Sequence, residues 1–284
     1  MNKKIGIVLS GGMAKGAYEI GALKSIMSYF KPEEIEAVSA ASIGALNGYA
    51  FCSGRLEFAT NMWKNLNHEK DSISVRALLK SDYLNFCGKE IAKHSLQCNS
   101  FYIPLFKSEG KETVYKDLCT VPACQMEDYL RAAVAVFGLC KPYSIGHEEF
   151  YDGALIDNIP ILPLENKNLD LIICIHFDDY NYVFDTVEND AKIVKIVFGD
   201  HDNIIKNSIF FNKNEINRMI AVGEQRAKDI LDIVFANGFE NKDIYAQIQK
   251  LNRLHPKKQI RITADVAVNN FNKIIRRLTA KKPK

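Results

Sequence analysis

Three short stretches of this 284-residue chain carry residue types suited to acyl-transfer chemistry. Ser42 stands in Ala40-Ala41-Ser42-Ile43-Gly44, a run of small residues that lets a sharp turn between a strand and a helix present a hydroxyl. A helix starting there aims backbone N–H groups and the positive end of its dipole at the serine oxygen, which favours an alkoxide or a bound anion. Gly11, Gly12 and Gly16 crowd one loop with Met13 and Lys15. Glycine leaves backbone N–H groups unshielded, as a site that stabilises a developing oxyanion requires. Far downstream, Asp152-Gly153 offers a carboxylate. Taken singly, each stretch has a plainer reading: a serine opening a helix is an N-cap, and Asp-Gly after a strand is a turn.

Nucleotide binding by the glycine loop fails on spacing. A dinucleotide fingerprint needs G-x-G-x-x-G, and a phosphate-binding P-loop needs Gly-Lys followed by Ser or Thr. Here Lys15 precedes Gly16, and Ala17 follows it.

The elements that must hold these residues are readable from hydropathy. Lys4 to Leu9 is a β-branched apolar run ending at the glycines, which predicts a buried strand. Ala17, Ile20, Leu23, Met27 and Phe30 then share one face of a helix that stops before Pro32. Ile35 to Ala41 predicts a second strand, followed by Ser42 and a small-residue helix that ends near Ser53-Gly54. Beyond it we expect peripheral helices around Met62-Trp63 and Tyr83 to Ala92, then a hairpin containing Phe101 to Phe106. A helix over Met126 to Val136 and a strand over Glu149 to Tyr151 come next. Leu169 to His176 and Ile193 to Phe198 read as buried strands, Ile204 to Phe235 as mainly helical, and Gln259 to Thr263 as a last strand before a terminal helix. Strands alternating with helices predict an α/β fold, with a mostly parallel central sheet covered on both faces.

In order along the chain, the three stretches resemble the signature of the patatin-like phospholipase family: a glycine loop after the first strand, a serine elbow after the second, and a downstream Asp-Gly-Ala. Asn158, Pro160, the segment from Arg131 to Pro142, and Gly223-Glu224-Gln225-Arg226-Ala227 extend the similarity. The resemblance implies a three-layer α/β/α sandwich and a serine acyl hydrolase that cleaves ester bonds of phospholipids or related lipids through an acyl-enzyme. It implies a Ser–Asp dyad, with Ser42 as nucleophile and Asp152 as its base. The N–H groups of Gly11, Gly12 and Met13 would form the oxyanion hole, with Lys15, Gly16, Gly44 and Gly153 supporting the motifs. Met13, Ala40 and Phe137 depart from the family pattern, which carries glycine, glycine and proline at those places, and they bear on substrate size. A non-catalytic lipid or acyl-group binder with the same fold is the rival reading. A Ser-Asp-His order with His176 or His201 remains formally open.

Composition adds the context. Neither an EF-hand loop nor an H-E-x-x-H motif occurs, so no metal or other cofactor is expected. The seven cysteines form no C-x-x-C pair and read mostly as buried thiols. No apolar run approaches the roughly 18 residues of a membrane span, and the expected compartment is the cytoplasm. From Leu251 onward ten Lys and Arg face Asp265 alone, so the excess of positive charge belongs to residues 251–284. We take 1–284 as one domain, with this basic segment outside the clear resemblance. Its apolar residues at helical spacing suit packing on the domain or, as the second reading, peripheral contact with an anionic membrane. Nucleic acid is not expected, because aromatic residues barely enter the segment.

Overall fold

The computed structural model describes residues 3–66, 72–79, 82–178, 192–198 and 210–254. The readings placed on Gln259 to Thr263, on the terminal helix and on most of the basic segment lie outside these residues.

A mixed sheet organises the molecule. Strands β1 (Ile5–Leu9), β2 (Ile35–Ala40), β4 (Ser100–Lys107), β5 (Glu112–Asp117), β6 (Tyr143–Ile145), β7 (Glu148–Asp152), β8 (Leu171–His176) and β9 (Ile193–Val197) belong to it. The order is β6-β7-β4-β2-β1-β8-β9, with β5 paired to β4. From β4 through β9 the neighbours β4-β2-β1-β8-β9 are all parallel, whereas β5, β6 and β7 join antiparallel at the edge. The short β3 (Ser72–Ser74) pairs separately with β10 (Phe210–Asn212), a pairing that no local pattern announces.

Alternation along the central strands sorts their side chains into two cores. Ile5, Ile7 and Leu9 of β1 join Val38, Ile173 and Ile175 on one face, where helices α1 (Gly16–Ile26) and α2 (Ile43–Cys52) cover them together with the Met126–Ala133 and Lys213–Val234 helices. Val8, Ala37, Ile172 and Cys174 point the other way, onto Ile159, Ile161 and Leu164 at the start of the 3-10 turns Leu162–Lys167. Burial on both sides is why these strands read as continuous apolar runs in the sequence.

α1 and the Lys213–Val234 helix pack backbone against backbone. A Cβ on Gly21 would sit 2.0 Å from the Ile220 carbonyl oxygen, and one on Gly223 would sit 2.1 Å from that of Tyr18. Two glycines thus let two backbones touch directly, which fixes α1 and with it the loop at its start. Gly223→Ala should destabilise the fold by about 1–3 kcal/mol in urea unfolding, because the helices must move apart. Gly88→Ala is the control: its Cβ would meet nothing within 4 Å, and the gain in helix propensity should stabilise the protein by about 0.5–1 kcal/mol. Equal effects of the two substitutions would contradict this packing.

Candidate active site

β1 and β2 are adjacent and parallel, so their C-terminal ends deliver the glycine loop and Ser42 to the same edge of the sheet. Ala41 anchors the elbow by donating its N–H to the Leu9 carbonyl at 3.0 Å. Ser42 follows at φ 54°, ψ −128°, a backbone conformation that L-residues rarely adopt. Strain of this kind costs about 1–3 kcal/mol and persists only where the surroundings enforce it. Gly44 makes the turn possible, because a Cβ there would lie 3.0 Å from both the Leu9 Cβ and the Ser10 carbonyl oxygen. The result is a buried serine at the N-terminal end of α2 that caps no backbone N–H with its side chain. The plain N-cap reading of Ser42 is therefore set aside.

The glycine loop lies directly over this serine. A Cβ on Gly11 would stand 2.9 Å from that of Ser42, 2.5 Å from Asn158 Oδ1 and 3.2 Å from the Ala154 Cβ. Gly12 is pressed as closely by Phe177, whose ring carbon would be 2.3 Å from an added Cβ. Phe177 also carries Lys15, with Nζ 5.3 Å from its ring centroid. Lys15 is buried there, so it braces the loop from inside and is not an exposed loop cation. Met13, where the family pattern has glycine, adopts φ 52°. Glycine takes that geometry freely and methionine does not.

The N–H groups of the loop are not equivalent. That of Gly11 donates to the Asn158 carbonyl at 3.2 Å, so it already has a partner. Those of Gly12 and Met13 meet no hydrogen-bond acceptor among the described residues. Asn158 closes the clamp from its side chain, donating from Nδ2 to the Gly11 carbonyl at 3.1 Å.

Asp152 ends β7, where it pairs with Leu105, and its N–H donates to the Ala135 carbonyl at 2.9 Å. Gly153 must be glycine: a Cβ would lie 2.3 Å from the Pro104 carbonyl. The buried Asp152 carboxylate accepts the Ala154 N–H at 2.9 Å, and the Ser42 side chain comes close enough to stabilise its charge. Burial pushes its pKa up to about 7 from an ordinary 3.8, and Ser42 and Ala154 pull against that rise. A carboxylate tuned in this way can take up and return a proton near neutral pH.

Among the described residues no histidine takes part in this pair, and Ser42 and Ala154 are the groups that act on the Asp152 charge. His176 is fully buried at the end of β8, and burial, with the Lys195 charge adding to it, holds its pKa down at about 3. An imidazole so reluctant to charge is a poor base. His147 sits exposed in the turn between β6 and β7, and His201 lies outside the described residues. Among the described residues no group of three or more His, Cys, Asp or Glu could share a metal ion, and no helix is long and apolar enough to cross a membrane.

Behind the loop lies a buried polar knot. Asn47 of α2 donates to the Gly16 carbonyl at 3.0 Å and to Glu19 at 2.9 Å, and it accepts the Trp63 indole N–H at 2.9 Å. It ties the first turn of α1 to α2, and so the glycine loop to the elbow. Sequence reasoning missed Asn47, Glu19 and Phe177. A polar pair in otherwise apolar or small-residue helices was the available signal for the first two, and Phe177 had none.

A strained serine elbow under a glycine loop, on a mostly parallel α/β sheet, defines the class. Residues 7–165 match the patatin-like phospholipase family, and the chain belongs to that family. A lysophospholipase NTE1 of Cryptococcus neoformans is 28% identical over 181 residues, covering 60% of this chain and 11% of that protein. An uncharacterized NTE family protein of Mycobacterium bovis is 21% identical over 178 residues, 61% of this chain and 48% of the relative. The chain thus spans about half or less of the length of these curated relatives. Among solved structures, VipD from Legionella pneumophila aligns over 89% of this chain and 75% of its own, with 13% identity and a TM-score of 0.48. ExoU of Pseudomonas aeruginosa, in complex with SpcU, aligns over 99% and 69%, with 11% identity and a TM-score of 0.45.

The tuning of Asp152 has a consequence for stability. An unfolded aspartic acid ionises near pH 3.9, whereas the native carboxyl keeps its proton to about pH 7. The native state therefore binds more protons in between, so the contribution of Asp152 is full below about pH 4 and is lost as the pH rises to about 7. Asp152→Asn has no proton to lose. Urea midpoints should show the variant gaining stability relative to wild type across that window, by up to ~4 kcal/mol, with no further change above it. A pH-independent difference would contradict the raised pKa.

Proposed function

We propose that this protein is a serine acyl hydrolase that cleaves carboxylic esters of phospholipids or related lipids, with Ser42 as nucleophile and Asp152 as its base. The approach of the Ser42 side chain to the buried Asp152 carboxylate, whose charge it helps to stabilise, carries this reading. Family membership and the similarity to a lysophospholipase support the choice of lipid esters.

In the first half-reaction Asp152 takes the Ser42 proton as Oγ bonds to the ester carbonyl carbon. The carbonyl π electrons move onto oxygen, and the unpartnered N–H groups of Gly12 and Met13 receive the resulting charge, aided by the N-terminal end of α2. Collapse of the tetrahedral intermediate breaks the bond to the alcohol oxygen, which leaves with the proton held by Asp152. Water then gives a proton to Asp152, attacks the acyl-Ser42 carbonyl and releases the fatty acid as Ser42 recovers its proton. One carboxyl serves both halves because a pKa near 7 lets it act as base and acid in turn. Gly11 shapes the site without donating, since its N–H belongs to Asn158.

A fluorophosphonate probe should therefore label Ser42, and Ser42→Ala should abolish both labelling and fatty-acid release from lysophospholipid. Asp152→Asn should lower kcat/KM by at least about a hundredfold, whereas His147→Ala and His176→Ala proteins that remain folded keep most of the activity. Labelling of another serine, or a histidine variant as inactive as Ser42→Ala, would overturn the dyad. Probe capture without turnover would favour the non-catalytic binder.

The pH profile supplies an independent check. Because the ionised form of Asp152 is the base, kcat/KM should fall about tenfold per pH unit below a midpoint near 7. Full activity persisting at pH values near 5 would exclude Asp152 as the titrating base.

A further inference from the structure

Two large apolar side chains stand in water beside the candidate site, on a loop that the proposed chemistry does not use. Phe137 is 56% exposed and Leu139 38%, and Gly138 between them and Lys141 after them are exposed as well. The loop is closed on itself. The Val136 carbonyl accepts the Leu139 N–H at 3.1 Å and the Cys140 N–H at 2.9 Å, and a β-bridge joins Phe137 to Cys140. Gly138 turns the tip at φ 82°, a conformation that glycine takes freely. A built turn, and not a slack one, displays the two side chains.

Strand β7 sets the place of this turn. Ala135, two residues before Phe137, accepts the Asp152 N–H at 2.9 Å, and the Phe137 ring meets that of Tyr151 edge-on, with centroids 5.0 Å apart and planes at 75°. Cys140 lies within reach of the same carboxylate: burial pushes its thiol up, and the Asp152 charge adds to the rise. The exposed pair therefore borders Asp152. Charge around it is mixed, since Arg131 pairs with Glu127, Lys107 pairs with Glu148, and the exposed Glu149 stands against Lys141. With neither sign dominant, the contact on offer is apolar. A phenyl ring and a branched alkyl chain at the tip of a polar turn suit the boundary between headgroups and acyl chains of a zwitterionic bilayer, which is the depth at which phospholipid esters lie. Phe137 also stands where the family pattern has proline, so the pair is a feature of this chain and not of the motif.

We propose that the turn from Phe137 to Lys141 is an interfacial anchor, which seats Phe137 and Leu139 in the surface of a zwitterionic phospholipid bilayer and so brings the candidate active site to its substrate. The choice of a lipid surface rests on the lipid-ester reading, but binding is measured without turnover. The full Ser42→Ala chain should sediment with phosphatidylcholine vesicles, and salt should change that binding little, because the contact is apolar. Leu139→Ser in the same background should weaken it about tenfold, and Phe137→Ser likewise, since each removes an inserted side chain. In the otherwise wild-type protein, Leu139→Ser should leave kcat/KM for a water-soluble butanoate ester unchanged, which reports a folded protein with an intact site. Its hydrolysis of vesicle phospholipid at limiting lipid should fall about tenfold, in step with binding.

A Ser42→Ala protein that binds no vesicles, or Leu139→Ser and Phe137→Ser proteins that bind them as tightly as their parent, would overturn the anchor and leave the hydrolase standing. Binding abolished by high salt would overturn it too, and would assign the contact to the basic residues after Leu251. Loss of self-association in the Leu139→Ser protein, with vesicle binding unaltered, would assign the turn to a second copy of the chain instead. Vesicle binding that depends on the turn, in a protein that hydrolyses no ester, would keep the anchor and remove the hydrolase.

Discussion

Three separate pieces of chain meet at one point, and Gly11 is the reason they can. The elbow brings Ser42, the turn after β7 brings Ala154 and Asn158, and the loop after β1 passes between them with no room for a side chain. Replace that hydrogen by a methyl group and the loop must lift away from the serine, the Asn158 clamp or both. The reciprocal bonds between Gly11 and Asn158 then lock the crossing. The orientation of the Gly12 and Met13 N–H groups, the strain at Ser42 and its contact with Asp152 all depend on this approach. Further back, the same device recurs where Gly21 and Gly223 let two helices touch, so the loop is fixed at both ends.

Electrostatics at the site follow from that closure. Excluding water raises the cost of the Asp152 charge, and Ser42 and Ala154 return only part of it. The group is left poised between its two protonation states. The helix N-terminus beside Ser42 works in the opposite direction, favouring negative charge next to that serine. His176 shows the same burial acting on a cation: its proton is driven off and its capacity as a base goes with it.

Much of this was legible in the sequence because the informative contacts are short in range. The apolar run before Gly11 and the small residues around Ser42 predicted the strands and the elbow, and the family resemblance implied the pairing of Ser42 with Asp152. Where the reading fell short, the cause was contact between distant segments. That Gly11 gives its N–H to Asn158 depends on a loop more than a hundred residues away, and Lys15 is buried because Phe177 arrives from β8. The β3–β10 pairing and the Asn47 knot are equally non-local. The helix Asn241–Leu254 was not anticipated, although Ile244 and Ile248 give it a buried stripe one turn apart.

The central claim is covalent, and it can be read as a mass. Acid-quenching the enzyme within the first turnovers on a lipid ester, followed by peptide mapping, should find the acyl group of the substrate on the peptide containing Ser42, attached at that residue, and should find none in Ser42→Ala. Sustained hydrolysis with no acylated Ser42, or with the acyl group on a different side chain, would contradict the account.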